Sequence, residues 1–321
     1  MRKIDSVFIV HKIHFMNDKK ERKTMDQLSM LVDTSNLNEV EKIVSELLQF
    51  LQMKHELADR FKTLLYDIRD LYEGRFPGYR ACDTEYHDFR HIMDVLIASL
   101  RLTDAVKLSD EFISDNGVFV LGAAALFHDT GYIPEITDSV ECGAEYTACH
   151  VERSIEFVKK YMKSKGYPKL MTAQISQVIL STELKVDLQR VDFVNEETRR
   201  LALILGAGDL LGQMADRIYL EKLLFLYREF KAGKIPGFDS EEQMLRKTVD
   251  FYKTMERRLE KDLEGIDRLM IIHFRERHNI NSNLYHTGML HNINYLNYIL
   301  ENHSGAHRDY LRRDGLVSKL I

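Results

Sequence analysis

The chain has little of what interrupts a helix. Only 4 prolines and 16 glycines punctuate 321 residues. Stretches free of breakers are therefore long, which disfavours the many turns of an all-β fold. Cysteine is scarce as well. Cys82, Cys142 and Cys149 cannot all pair, and their spacing is not that of a zinc knuckle. Reduced thiols in a cytoplasmic protein are the expectation. Neither sign of charge dominates: 45 Lys and Arg against 50 Asp and Glu leave a formal −5. That balance argues against broad electrostatic binding of nucleic acid. Long apolar runs are missing too. Val7 to Val10 is a short one, but Asp5, His11, Lys12 and His14 surround it. It is too short to span a bilayer and lacks a signal peptide's apolar core and cleavage site. Residues 1–35 are polar and weakly patterned, with further methionines at Met16 and Met25, and a weakly ordered tail or an upstream start codon is expected there.

What is present supports an ordinary helical core. Apolar residues make up 45% and charged residues 30%, so global disorder is not expected. The length allows one large domain, or a catalytic domain with helical additions. From Leu37 to Tyr72 apolar residues recur at helical spacing, ended by Gly74, Pro77 and Gly78; this is one long helix or two. Its stripe is wider than a heptad seam, which predicts packing on the chain's own core; the alternative is pairing in a homodimer. A second helix is expected over 84–105, carrying Tyr86, His87 and His91 on its first turns. Val118 to Phe127 is apolar almost all round and predicts a buried helix running into His128-Asp129 and stopping at Gly131. Helical patterns follow near 145–163, 170–184 and 196–230, and amphipathic, charged pattern continues from 240 to 302. The fold class is all-α.

Chemistry concentrates in three places. His87 and His91 are four apart, so on a helix they would share one face. His128 and Asp129 sit together at the mouth of an apolar helix, where burying an ionisable Asp costs several kcal/mol unless it is paired. A divalent cation is one such partner, and His with Asp suits manganese, iron, magnesium or zinc better than copper. Asp209 repeats the logic inside the apolar segment Leu201 to Gly212. Gly206, Gly208 and Gly212 nearly match a dinucleotide fingerprint, but the spacing is off by one and no strand–helix alternation surrounds them. A helix whose small residues permit close packing, with Asp209 reaching a metal, is the reading preferred.

The order His, then His-Asp, then a distant Asp resembles the signature of HD-domain metal-dependent phosphohydrolases. Tyr86-His87-Asp88-x-x-His91, followed by Leu126-Phe127-His128-Asp129-Thr130-Gly131-Tyr132, is similar to the version in class I cyclic-nucleotide phosphodiesterases. It is similar also to a group of bacterial HD proteins, in which a His-x-Glu-Arg-Ser stretch follows; here that is His150-Val151-Glu152-Arg153-Ser154. The resemblance covers about residues 80–230. It implies a helical catalytic core over 81–232, with a helical extension over 36–80 before it and a C-terminal helical extension over 233–321.

The resemblance implies that His91, His128, Asp129 and Asp209 hold one divalent metal. Asp129 would bridge to a second, and Mn, Mg, Fe, Zn, Ni and Co all remain open. His87 matches the histidine that protonates the leaving oxygen, although Asp88 departs from the Asn usual beside it. His150 is expected to bind a second metal or the substrate phosphate. Glu152 and Arg153 read by default as a solvated face.

The function implied is hydrolysis of a small phosphoester, a nucleotide or cyclic nucleotide, by metal-activated hydroxide, with Asp129 and His87 catalytic. No Gly-Tyr-Pro segment is present, and Thr130-Gly131-Tyr132-Ile133 stands where alarmone hydrolases carry Glu-Asp. The alternative is a metal- and nucleotide-binding sensor without turnover. His273, His278, His286, His291, His303 and His307 show no metal spacing and read as packing or exposed residues. Arg257, Arg258, Arg268, Arg275 and Arg277 read as charges on a solvated surface.

Overall fold

A computed structural model describes residues 28–320, and most of the expected N-terminal tail lies outside them. Within the described residues the chain is all-α. The only extended pairing among them is an isolated bridge between Tyr79 and Glu135. No described helix is long and apolar enough to cross a membrane.

The Leu37–Tyr72 pattern forms two helices, α1 (Leu37–Phe50) and α2 (His55–Tyr72). The break is local: Gln52 takes a left-handed φ of 57° between them. Val40, Leu47, Leu64 and Ile68 are buried in the chain's own core, as the wide stripe predicts. Leu28, Leu31 and Val32, ahead of α1, pack against the same core.

Helix α3 (Phe89–Leu108) begins later than expected. Asp88 is its N-cap, its side chain accepting a hydrogen bond from the backbone N–H of His91 at 2.8 Å. His87 therefore precedes the helix, and the expected shared helical face of His87 and His91 does not exist. The apolar helix α4 (Asp115–Phe127) is buried at every position from Gly117 to Phe127. It packs against α2, α3, α6 (Lys169–Ile179) and α7 (Glu196–Met214), which explains why no polar face is needed.

The pattern near 145–163 becomes a short 3-10 turn and then α5 (His150–Ser164), and the 196–230 pattern divides into α7 and α8 (Tyr219–Ala232). Helices α9 (Glu241–Lys261), α10 (Met270–His278) and α11 (Leu284–Asn302) complete the chain. Helices α3 and α7 pack the most extensively of any pair. A Cβ at Gly208 would lie 2.2 Å from Ser99 Oγ, and one at Gly212 would lie 3.0 Å from the Asp94 backbone. The near-fingerprint glycines are thus helical spacers, which bring Asp209 beside the His91 end of α3.

Candidate metal centre

Three elements deliver four side chains to one point. His91 lies in the first turn of α3, His128 at the C-cap of α4 with Asp129 directly after it, and Asp209 on α7. The Nε2 atoms of His91 and His128 are 3.4 Å apart. Asp129 Oδ2 lies 3.3 Å from the first and 3.2 Å from the second. Asp209 Oδ1 stands 3.6 and 3.9 Å from the same two nitrogens. His91, His128 and Asp129 form the tight buried cluster, with Asp209 on its more exposed side.

These donors fit a cation better than they fit one another. Asp129 Oδ2 is buried without a hydrogen bond of its own, with the two imidazole nitrogens 3.3 and 3.2 Å away. Such an atom carries a desolvation cost of about 1–3 kcal/mol or more. His128 turns Nδ1 toward the Ala125 carbonyl at 2.8 Å. With that N–H donated, Nε2 presents a lone pair to the cluster. Two imidazole nitrogens each about 2.0–2.1 Å from a tetrahedral cation sit about 3.4 Å apart, which matches the observed spacing. Without a cation the charges turn on each other. Burial opposes protonation of His128, but Asp129 and Asp209 outweigh it and push the imidazole up to about 9. Asp129 is held well below the carboxylate range by His128, against the opposing pull of burial.

His87 faces this cluster from the segment ahead of α3, and its geometry comes from α8. Its Nδ1 lies 2.6 Å from Glu229 Oε2, while Glu229 Oε1 accepts the Tyr86 backbone N–H at 2.6 Å. Burial alone would lower the imidazole's proton affinity; the Glu229 carboxylate outweighs it and raises His87 above its ordinary range. The chain of contacts continues to Asp209. Tyr86 donates its hydroxyl proton to Gln213 Oε1 at 2.9 Å, and Gln213 Nε2 donates to Asp209 Oδ1 at 3.2 Å. The carboxylate can only accept, so the amide must turn its NH₂ to Asp209 and its carbonyl to Tyr86.

His150 also reaches the cluster, with Nε2 3.7 Å from Asp129 Oδ1 and Nδ1 2.9 Å from the Thr147 carbonyl oxygen. The Tyr132 ring lies nearly parallel to both outer imidazoles, 4.3 Å from His87 and 4.6 Å from His150 between centroids. Every histidine and acid expected at the site is thus brought together.

Arg153 corrects an expectation, because it is not a solvated charge. Its guanidinium donates to the carbonyls of Gly131 at 2.9 Å and Ile133 at 3.4 Å and to Asp138 at 3.1 Å, and stacks 3.5 Å over Tyr146. Ser154 donates to the His128 carbonyl at 2.6 Å and accepts the Gly131 N–H at 2.9 Å. The two residues clamp the loop that follows His128-Asp129. Gly131 makes the clamp possible, since a Cβ there would lie 1.9 Å from the His150 carbonyl oxygen.

Glu229 and Gln213 had no signal in the sequence reading. Each sits in a helical pattern where a polar residue is unremarkable, and Glu229 lies 142 residues from its imidazole. Two C-terminal arginines also depart from the solvated reading. Arg258 is buried and donates to the carbonyls of Ser181 and Leu184, and Arg277 donates to the buried Asp104.

A family model described as Npun_R2479-like matches residues 135–286. That stretch includes His150, Asp209, Gln213 and Glu229 and begins after Asp129. No curated protein and no solved structure matches the chain.

Proposed function

We propose that this protein is a divalent-metal-dependent phosphohydrolase of the HD-domain kind, cleaving a small phosphoester such as a nucleotide or cyclic nucleotide. The observation that carries the reading is Asp129 Oδ2, buried without a donor between two imidazole nitrogens. His91, His128, Asp129 and Asp209 would hold the ion. A divalent cation bound there supplies Lewis acidity, lowering the pKa of a coordinated water and neutralising phosphate charge.

The remaining residues have separable tasks. His87 gives Nδ1 to Glu229, which leaves Nε2 to hold a proton for a departing oxygen. A positioned acid of this kind typically contributes about 10²- to 10⁴-fold. His150, with Nδ1 fixed on the Thr147 carbonyl, directs Nε2 into the cluster, where it would meet a phosphate oxygen or a second cation. Asp88 performs as N-cap the job that Asn performs equally well. Its departure from the family's Asn therefore does not favour the non-catalytic sensor.

The test is manganese-dependent hydrolysis of phosphodiesters, phosphomonoesters and cyclic nucleotides by the wild type and Asp129→Ala side by side. The expected result is turnover of one ester class by the wild type and none by the variant, with helicity intact. Bound metal without turnover on any compound would replace this reading with the sensor.

A further inference from the structure

A second polar site lies along the α3–α7 seam, farther along α3 than His91. Arg101, on α3, is 1% exposed, and an arginine keeps its charge at any physiological pH. One nitrogen, Nη1, donates to the Tyr285 hydroxyl at 3.1 Å. Its Nε and Nη2 are buried with no hydrogen-bond partner among the described residues. The nearest acid on its helix is already engaged. Asp104 accepts from Arg277 through both oxygens, at 2.7 and 3.0 Å, and from His273 Nδ1 at 2.7 Å. Burial lowers His273 to about 4, so it adds no charge at neutral pH. Arg277 thus takes up the charge of Asp104, and Arg101 has no ion pair of its own among the described residues. An uncompensated buried ion is costly, and the cost is relieved by a counter-ion with acceptor oxygens.

Arg101 lines a cavity beneath residues 28–34, together with Thr34, Asp94, Asp216, Arg217 and Tyr285. Its volume is about 50 Å³; at about 10–15 Å³ per water-sized group, it takes three to five such groups. That is the heavy-atom count of a small oxyanion such as phosphate or acetate. Two carboxylates, Asp94 and Asp216, also line the cavity. Asp216 pairs with Arg90 at 3.3 Å and Lys222 at 3.7 Å. Burial, then the nearness of Asp216, pushes Asp94 up to about 7, which weakens its repulsion of an anion.

We propose that this cavity binds a small oxyanion, of phosphate or carboxylate type, on Nε and Nη2 of Arg101. The proposal does not rest on the proposed hydrolysis.

The test uses the full chain carrying Asp129→Ala and stripped with EDTA, so that the metal centre contributes nothing. Thermal unfolding is followed while sodium phosphate, acetate or chloride is titrated at constant ionic strength. The expected result is a saturable rise of about 2–5 °C with one oxyanion and none with chloride. Phosphate acting alone assigns the phosphate class, and acetate acting alone the carboxylate class. Arg101→Lys keeps the charge but loses the planar fork, and should abolish the rise. Should that variant fail to fold, Val32→Trp fills the cavity from the covering segment and leaves Arg101 in place; it should also abolish the rise. No saturable shift with either oxyanion, an equal shift with chloride, or a shift that survives these substitutions would overturn the proposal.

Discussion

His87 and Glu229 are joined at 2.6 Å across 142 residues of sequence, and the same carboxylate holds the backbone N–H of Tyr86. One acid on α8 therefore sets both the ring and the main chain of the segment that faces the His91–His128–Asp129 cluster. Replacing it by Gln keeps an acceptor for Tyr86 but removes the charge beside the imidazole. Glu229→Gln should lower kcat by about 10-fold or more, most for poor leaving groups, with metal content unchanged. A rate loss independent of leaving-group pKa would remove His87 from the role of acid.

Gln213 fixes the carboxylate of Asp209 while Tyr86 fixes the amide of Gln213. Groups that orient metal ligands typically contribute about 10- to 100-fold in affinity. Gln213→Leu should weaken manganese binding by that factor in a calorimetric titration, with unfolding of the metal-free protein little changed. Tyr86→Phe should give a smaller loss in the same direction. Wild-type affinity in both variants would show that Asp209 needs no orienting partner.

Gly131 is required by space. Its absent Cβ would meet backbone of the α5 N-terminus, the His150 carbonyl at 1.9 Å, and backbone yields less readily than a flexible side-chain end. Gly131→Ala should cost about 1–3 kcal/mol in urea unfolding, and the accompanying shift of His150 should raise KM for any phosphoester substrate. A stability equal to wild type would mean that α5 moves aside freely.

His273 gives a pH dependence with a definite sign. Burial lowers it from 6.5 to about 4, so the unfolded chain takes up a proton before the folded one does. Its contribution is complete above about pH 6.5 and is lost as pH falls toward 4. Asp104, held below the ordinary carboxylate range despite burial by His273 and Arg277, adds its loss in the same direction at still lower pH. Stability from urea unfolding should fall between pH 6.5 and 4.5, and His273→Gln should flatten that slope. The slope should persist in Asp129→Ala, which separates it from the metal centre.

Much of this molecule is written in local pattern. Few breakers and a 3.6-residue apolar period make the chain all-α. The apolar run from Val118 to Phe127 marks α4 as buried before any neighbour is known, and the His128-Asp129 pair at its end stands out because charge is costly there. Boundaries were less legible. Apolar Tyr86 continues the periodic pattern toward the N-terminus, while the Asp88 cap starts α3 at Phe89 and leaves His87 outside it.

Only the tertiary structure decided the partners. Glu229 beside His87, Arg153 across the loop after Asp129, and Arg101 against the Tyr285 hydroxyl are relations between elements distant in sequence. Periodicity records which face of a helix is buried, because that depends on neighbours three and four residues away. It does not record what the face meets, because that depends on how whole helices pack.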